Sequence, residues 1–227
     1  MNTDNFLKYE ERGKMMNDVV ESINKALNAV LEKEDRANIL LSGGGTPGPI
    51  YQKLSTSFSA LNQVKIGLVD DRFVPTNDKF SNELLLKNCF SSSKEAIANI
   101  SGMVIDQTNK ALNLELVNKA YSSFIHHTDI VVLGMGIDGH TASIFPNDDE
   151  SDQLRQSQIK GVFYTNAPSY PTQRITCSPE LILNATDIYL VISGEQKLEI
   201  LDQSYRKLPI HDFLSKRKDI KIYYSSI

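Results

Sequence analysis

Residues 129–146 read DIVVLGMGIDGHTASIFP, with Asp138 and His140 on either side of Gly139 just after an apolar run ending at Leu133. Histidine, with an ordinary pKa of about 6.5, exchanges protons near neutrality. A carboxylate two residues away can orient its ring or stabilise its charged form. The pair therefore offers a general base. The same stretch also spells G-x-G-x-x-G through Gly134, Gly136 and Gly139, the pattern of a dinucleotide site. Such a site needs a helix directly after the loop, with the pyrophosphate at its N-terminus. Here Pro146 arrives seven residues after Gly139 and is followed by NDDESD, which has room for a short helical turn but not for a crossover helix. The glycines are read as shaping a turn that exposes His140.

Two other polar stretches carry chemistry. SGGGTPGP, residues 42–49, contains Ser42, Gly43, Gly44, Gly45 and Thr46. It is not a P-loop, because Pro49 stands where the lysine should be. Glycines let a backbone come close to a ligand, and a helix opening behind them presents free N–H groups that favour a phosphate. A tight turn alone would need one or two glycines. Three beside Ser42 and Thr46 favour phosphate binding. The second stretch is Asp70-Asp71-Arg72, with Asp78 and Ser81-Asn82 further on. Charged runs are usually solvated surface, but a guanidinium at a sheet edge can pair with a phosphate or carboxylate. Taken singly, Arg174 and Lys197 read as ordinary surface cations. No G-x-S-x-G elbow occurs, and His126-His127 has no ligand-spaced partner, so neither a serine hydrolase nor a metal site is expected.

These residues need elements to hold them. Met16, Val19, Val20, Ile23, Leu27, Val30 and Leu31 follow helical spacing. NILL, KIGLV, DIVVL, RITCS, DIYLVIS and IKIYY read as strands. IYQKL, SNELLLKNCF, the face Leu114-Val117-Tyr121-Phe124, SPELILNA and EQKLEILDQSY read as helices, with Ser81 and Ser178 as caps. The alternation predicts a single α/β domain over residues 1–227, with a mostly parallel sheet flanked by helices on both faces. Ligands of such sheets sit beyond the strands' carboxyl ends. SGGGTP, DDR and GMGIDGH all follow strands and should converge there.

Composition excludes some classes. The chain has 227 residues and a net charge of −4, so no nucleic-acid or anionic-membrane partner is expected. Cys89 and Cys177 read as buried free thiols, no apolar run could span a membrane, and the charged start MNTDNFLKYEERGK lacks a signal-peptide core. A cytoplasmic location is expected.

With LSGGGTP, DDRFVP…D…SN, LGMGIDGHTASIFP and PTQRIT…L…A…G…K in hand, the chain resembles the 6-phosphogluconolactonase family across residues 41–197. Asp71 stands where that family usually has glutamate, and IKIYYSSI lacks the Asp-x-x-Ala ending of many members. The resemblance implies the modified Rossmann architecture shared with glucosamine-6-phosphate deaminases, no required metal or cofactor, and a phosphorylated sugar lactone as the small-molecule partner. A monomer or small homo-oligomer is expected. It also implies that His140 is the general base, with Asp138 orienting its loop. Arg72, Arg174 and Lys197 would hold the phosphate or the developing oxyanion, and the SGGGT backbone, with Asp70 nearby, would close around the substrate. Two rival readings are a deaminase/isomerase and a non-catalytic sugar-phosphate sensor. The deaminase family carries Asn-Glu-Pro where this chain has Ile144-Phe145-Pro146; a sensor would need neither His140 nor its loop.

Overall fold

The computed structural model describes residues 5–226; the first four residues of the charged N-terminal stretch and Ile227 of IKIYYSSI lie outside the described residues. The chain runs β1 (Phe6–Tyr9), α1 (Arg12–Leu31), β2 (Ala37–Leu41), α2 (Gly48–Ser57), β3 (Val64–Leu68), β4 (Asp70–Arg72), α3 (Asn82–Cys89), α4 (Lys94–Ala98) and β5 (Ile100–Ser101). It continues through α5 (Lys110–Ala120), α6 (Ser122–His126), β6 (Ile130–Leu133), α7 (Asp149–Gln156), β7 (Val162–Asn166) and β8 (Gln173–Cys177). The last elements are α8 (Pro179–Leu183), β9 (Asp187–Ser193), α9 (Glu195–Asp202), α10 (Pro209–Lys216) and β10 (Lys221–Ser225).

Among the described residues, seven strands form one sheet in the order β1-β10-β9-β6-β2-β3-β5, and every pairing in it is parallel. Its central strands are apolar along their whole length. All four residues of β6 and the five interior residues of β9 are buried, as a sheet covered on both faces requires. α1 covers part of it with Met15, Met16, Val19, Val20, Ile23 and Leu27, spaced to share one face of the helix. Val30 and Leu31, at the end of the same stripe, are half-buried.

The structure departs from the sequence reading in several places. DDR, read as a loop, is strand β4, and RITCS forms β8 outside the main sheet; with β7 they make a separate antiparallel sheet, with Arg72 opposite Arg174. β1 is short and carries a lysine, so its pairing with β10 has no clear local signal. The expected single helix face ending at Phe124 breaks at Tyr121, which separates α5 from α6. Tyr121 turns its hydroxyl to the end of β3, accepting from the Leu68 N–H at 2.8 Å and donating to Ser101 O at 3.0 Å. The NDDESD stretch does form a helix, α7, because Asp148 accepts the Ser151 N–H as its cap and acidic residues fill its first turn.

The caps expected at Ser81 and Ser178 are present. Ser81 Oγ accepts from Leu84 N at 3.2 Å and also donates to Asp71 Oδ2 at 3.3 Å. Ser81→Ala should therefore lower unfolding stability by about 1–2 kcal/mol, measured by urea titration. An unchanged midpoint would show that the cap contributes nothing.

Candidate active site

Four neighbouring strands, β9, β6, β2 and β3, deliver their carboxyl-terminal loops to one place. The sheet reverses its winding between β2 and β6, the position at which open parallel sheets form ligand crevices. Ser42 N donates to Val132 O at 3.0 Å, which sets the glycine loop against the end of β6. The backbone and side chains of Ser42 to Thr46, together with Asp70, Arg72, His140, Arg174 and Lys197, line one cavity of about 180 Å³. Asn82, Gly134, Gly136, Ala142 and Val191 complete its wall.

His140 is held by its own loop. Asp138 Oδ1 lies 2.5 Å from His140 Nδ1 and 3.2 Å from the His140 N–H. Half-burial alone would raise the Asp138 pKa, but the hydrogen bonds and charge of His140 hold it below the ordinary aspartate value. An ionised carboxylate only accepts, so Nδ1 carries the proton and donates it. Nε2 has no protein partner among the described residues and is the nitrogen left for the cavity. The loop permits this only with glycine at two positions. Gly139 sits at φ 79°, and a Cβ on Gly136 would fall 2.3 Å from His140 Nδ1. Asp138 itself does not line the cavity and reaches it only through His140. Beneath the imidazole, the buried Phe145 ring lies 4.6 Å from it, centroid to centroid, and the Arg174 guanidinium sits 5.4 Å from the same ring.

The DDR stretch divides its labour. Asp71 is 1% exposed and faces away from the cavity. Its carboxylate accepts the N–H groups of Arg72, Asn82 and Glu83 at 2.7, 2.6 and 3.1 Å, tying β4 to the start of α3. Burial raises its pKa to about 6 despite those three donors. Asn82, fixed in this way, accepts from Arg72 Nη1 at 2.7 Å and donates to Asp70 O at 2.9 Å. Arg72 Nε is buried with no hydrogen-bond partner. Asp70 accepts Ser143 Oγ on Oδ2 at 2.5 Å, and Oδ1 has no donor among the described residues.

At the other end of the cavity, Tyr51 donates to Ser42 O at 2.8 Å and Thr46 Oγ1 meets Ser193 Oγ at 3.3 Å, pinning the glycine loop to α2 and β9. Ser42 Oγ is buried without a partner. Lys197, in the first turn of α9, has its pKa lowered by burial and then by the charge of Arg12. Arg174 is likewise lowered by burial and then by Arg72. Its Nε donates to Pro171 O at 2.9 Å. Arg72, Arg174 and Lys197 form no ion pair with a carboxylate among the described residues. The site is thus a concave surface rich in unneutralised cations with one imidazole nitrogen free, suited to an anionic substrate and to proton abstraction. Among the described residues no group of three or more His, Cys, Asp or Glu side chains is arranged to hold a metal ion. The sequence reading missed Arg12, which touches the glycine loop from a distant helix.

Comparison with known proteins gives concordant results. Residues 10–220 match the family described as glucosamine-6-phosphate isomerases/6-phosphogluconolactonase. A 6-phosphogluconolactonase of Neisseria meningitidis serogroup A is 30% identical over 203 residues, covering 87% of this chain and 86% of the relative. One from Helicobacter pylori strain J99 is 28% identical over 213 residues, covering 91% and 92%. The crystal structure of a 6-phosphogluconolactonase from Shewanella baltica superposes with a TM-score of 0.89 at 30% identity, covering 97% of each chain.

The hydrogen-bond geometry predicts a fixed tautomer. In ¹⁵N-detected NMR of the neutral ring, His140 should carry its proton on Nδ1. Asp138→Asn should release that preference. A wild-type ring protonated on Nε2 would contradict the arrangement.

Proposed function

The chain belongs to the glucosamine-6-phosphate isomerase/6-phosphogluconolactonase family, and from that premise we propose that it hydrolyses 6-phospho-D-glucono-1,5-lactone to 6-phospho-D-gluconate, the lactonase step of the oxidative pentose phosphate pathway. The reaction is assigned to residues 1–227 as one domain, a monomer or small homo-oligomer working in the cytoplasm without a cofactor. The observation that carries the mechanism is His140 Nε2, open to the cavity while Asp138 secures Nδ1.

In this reading Nε2 takes a proton from a water molecule as its oxygen bonds to the lactone carbonyl carbon, C1. Negative charge moves onto the carbonyl oxygen, where Arg72 stabilises it through Nη2, Nη1 being held by Phe80 O and Asn82 Oδ1. Collapse of that tetrahedral species breaks the bond from C1 to the ring oxygen, and the imidazolium returns the proton to the departing oxygen. Asp138 keeps the ring oriented and supports its transient charge. Lys197, Arg174 and the Ser42–Thr46 backbone hold the phosphate, and Asp70 Oδ1 accepts from a sugar hydroxyl. A lactone is already electrophilic at C1, so one base, one water and a few fixed positive groups are enough.

Phe145 tells against aldose–ketose chemistry. It stands where the resemblance places the ring-opening glutamate of deaminases, and it is packed under His140 with 3% exposure. A phenyl ring moves no protons. Asp71, an alternative acid, is held by backbone N–H groups away from the cavity.

The test is release of 6-phosphogluconate from freshly made lactone, corrected for spontaneous hydrolysis, beside ammonia release from glucosamine 6-phosphate. Turnover is expected on the first substrate and none on the second. His140→Ala should lower kcat by at least about 10²-fold with the fold intact. A folded variant with near wild-type kcat would remove His140 from the mechanism, and comparable turnover of glucosamine 6-phosphate would overturn the lactonase reading.

A further inference from the structure

Arg12 is the first residue of α1, far in sequence from every loop of the site, yet its Nη2 donates to Gly45 O at 2.9 Å. Gly45 and Lys197 line the same cavity, and Arg12 stands just behind its wall, joined to it through the Gly45 carbonyl. The placement is unfavourable for a purely structural arginine. A cation in the first turn of a twenty-residue helix opposes the helix dipole, and no acidic residue in that turn offsets it. The neighbouring Glu11 pairs with Lys14 instead, at 3.2 Å. Arg12 has no carboxylate partner among the described residues, and its Nε is buried without a hydrogen-bond acceptor. An unmet buried donor destabilises the fold. Arg12 also lies close enough to Lys197 to depress that ammonium's pKa, after burial. An anion entering beside the glycine loop would offset both the charge at the helix N-terminus and the repulsion with Lys197.

We propose that Arg12 is a further substrate-binding residue of this site: anchored by the Gly45 carbonyl, it grips the phosphate monoester of the substrate together with Lys197. A guanidinium presents its donors in a planar fork that matches two oxygens of one phosphate, whereas an ammonium is a single point charge. The Gly45 bond occupies Nη2 in one direction and fixes the plane of the fork, so little side-chain freedom is lost when phosphate binds. The inference rests on the lactonase reading for its substrate, but the anion site itself does not.

The test uses the full chain and its Arg12→Gln and Arg12→Lys variants, with inorganic phosphate as the probe and thermal unfolding as the first readout. Arg12→Gln should have a melting temperature equal to or above wild type without phosphate, since a repulsive cation is gone. It should lose most of the phosphate-induced rise, with apparent phosphate affinity at least 10-fold weaker. Arg12→Lys should recover part of that affinity. On the phosphorylated lactone, Arg12→Gln should raise KM at least 10-fold with kcat changed far less, and the loss should exceed that on unphosphorylated glucono-1,5-lactone. Undiminished phosphate binding, or a lowered melting temperature with equal losses on both lactones, would overturn the proposal and leave Arg12 as a prop for the loop. If wild type binds phosphate through Arg12 but turns over no lactone, the lactonase reading fails and the anion site stands.

Discussion

β6 runs hydrogen-bonded between β2 and β9, with Ile39 opposite Ile130 and Leu133 opposite Leu190. That register brings the loop carrying His140 against the loop carrying Ser42 to Thr46, and it sets Lys197 beside both through the end of β9. A one-residue slip in a parallel strand would send its side chains to opposite faces. The apolar residues of β6 are close-packed on both faces, which holds the strand in place, and the site inherits its geometry. Catalytic groups on loops can be placed accurately when the strand ends behind them do not move.

The second constraint is electrostatic. Arg72 and Arg174 face each other across β4 and β8, and Arg12 and Lys197 approach each other across the glycine loop. Each pair repels, and each lies partly out of water. A buried network holds Arg72 in place: the Asp71 carboxylate fixes Asn82, and Asn82 fixes Arg72. In the proposed reaction the repulsion within both pairs is relieved when the substrate anion enters, which would give a dianionic substrate an advantage over neutral sugars. Asp71 is a costly part of that support, a carboxylate kept in a buried position by three backbone N–H groups.

Much of the site was legible in the sequence because the relevant residues follow apolar runs directly. Ser42 comes straight after Leu41, Asp70 follows Val69, and the His140 turn follows Leu133. Strand periodicity and the rule that loops at carboxyl ends form ligand crevices were enough to bring these together. Other features were hidden for physical reasons. β4 is three charged residues whose pairing depends on β8, a partner about a hundred positions away in the chain, so local propensity gave no sign of the second sheet. α7 is nearly all polar and exists through its Asp148 cap rather than an apolar stripe. The division between Asp70, on the cavity wall, and Asp71, buried behind it, follows from which side of β4 each faces. Arg12 carries no local mark, since only the packing of α1 beside the glycine loop brings it there.

In the proposed mechanism the cavity has two chemically distinct ends, one for phosphate at the Ser42–Thr46 loop and one for the reacting carbonyl at His140. The most direct measurement is a crystal structure of the protein with 6-phosphogluconate, the product. The predicted result is a phosphate within hydrogen-bond reach of the loop N–H groups and Lys197, with the C1 carboxylate within reach of His140 Nε2. A phosphate seated against His140, or a product bound outside this cavity, would rule out that division of the site.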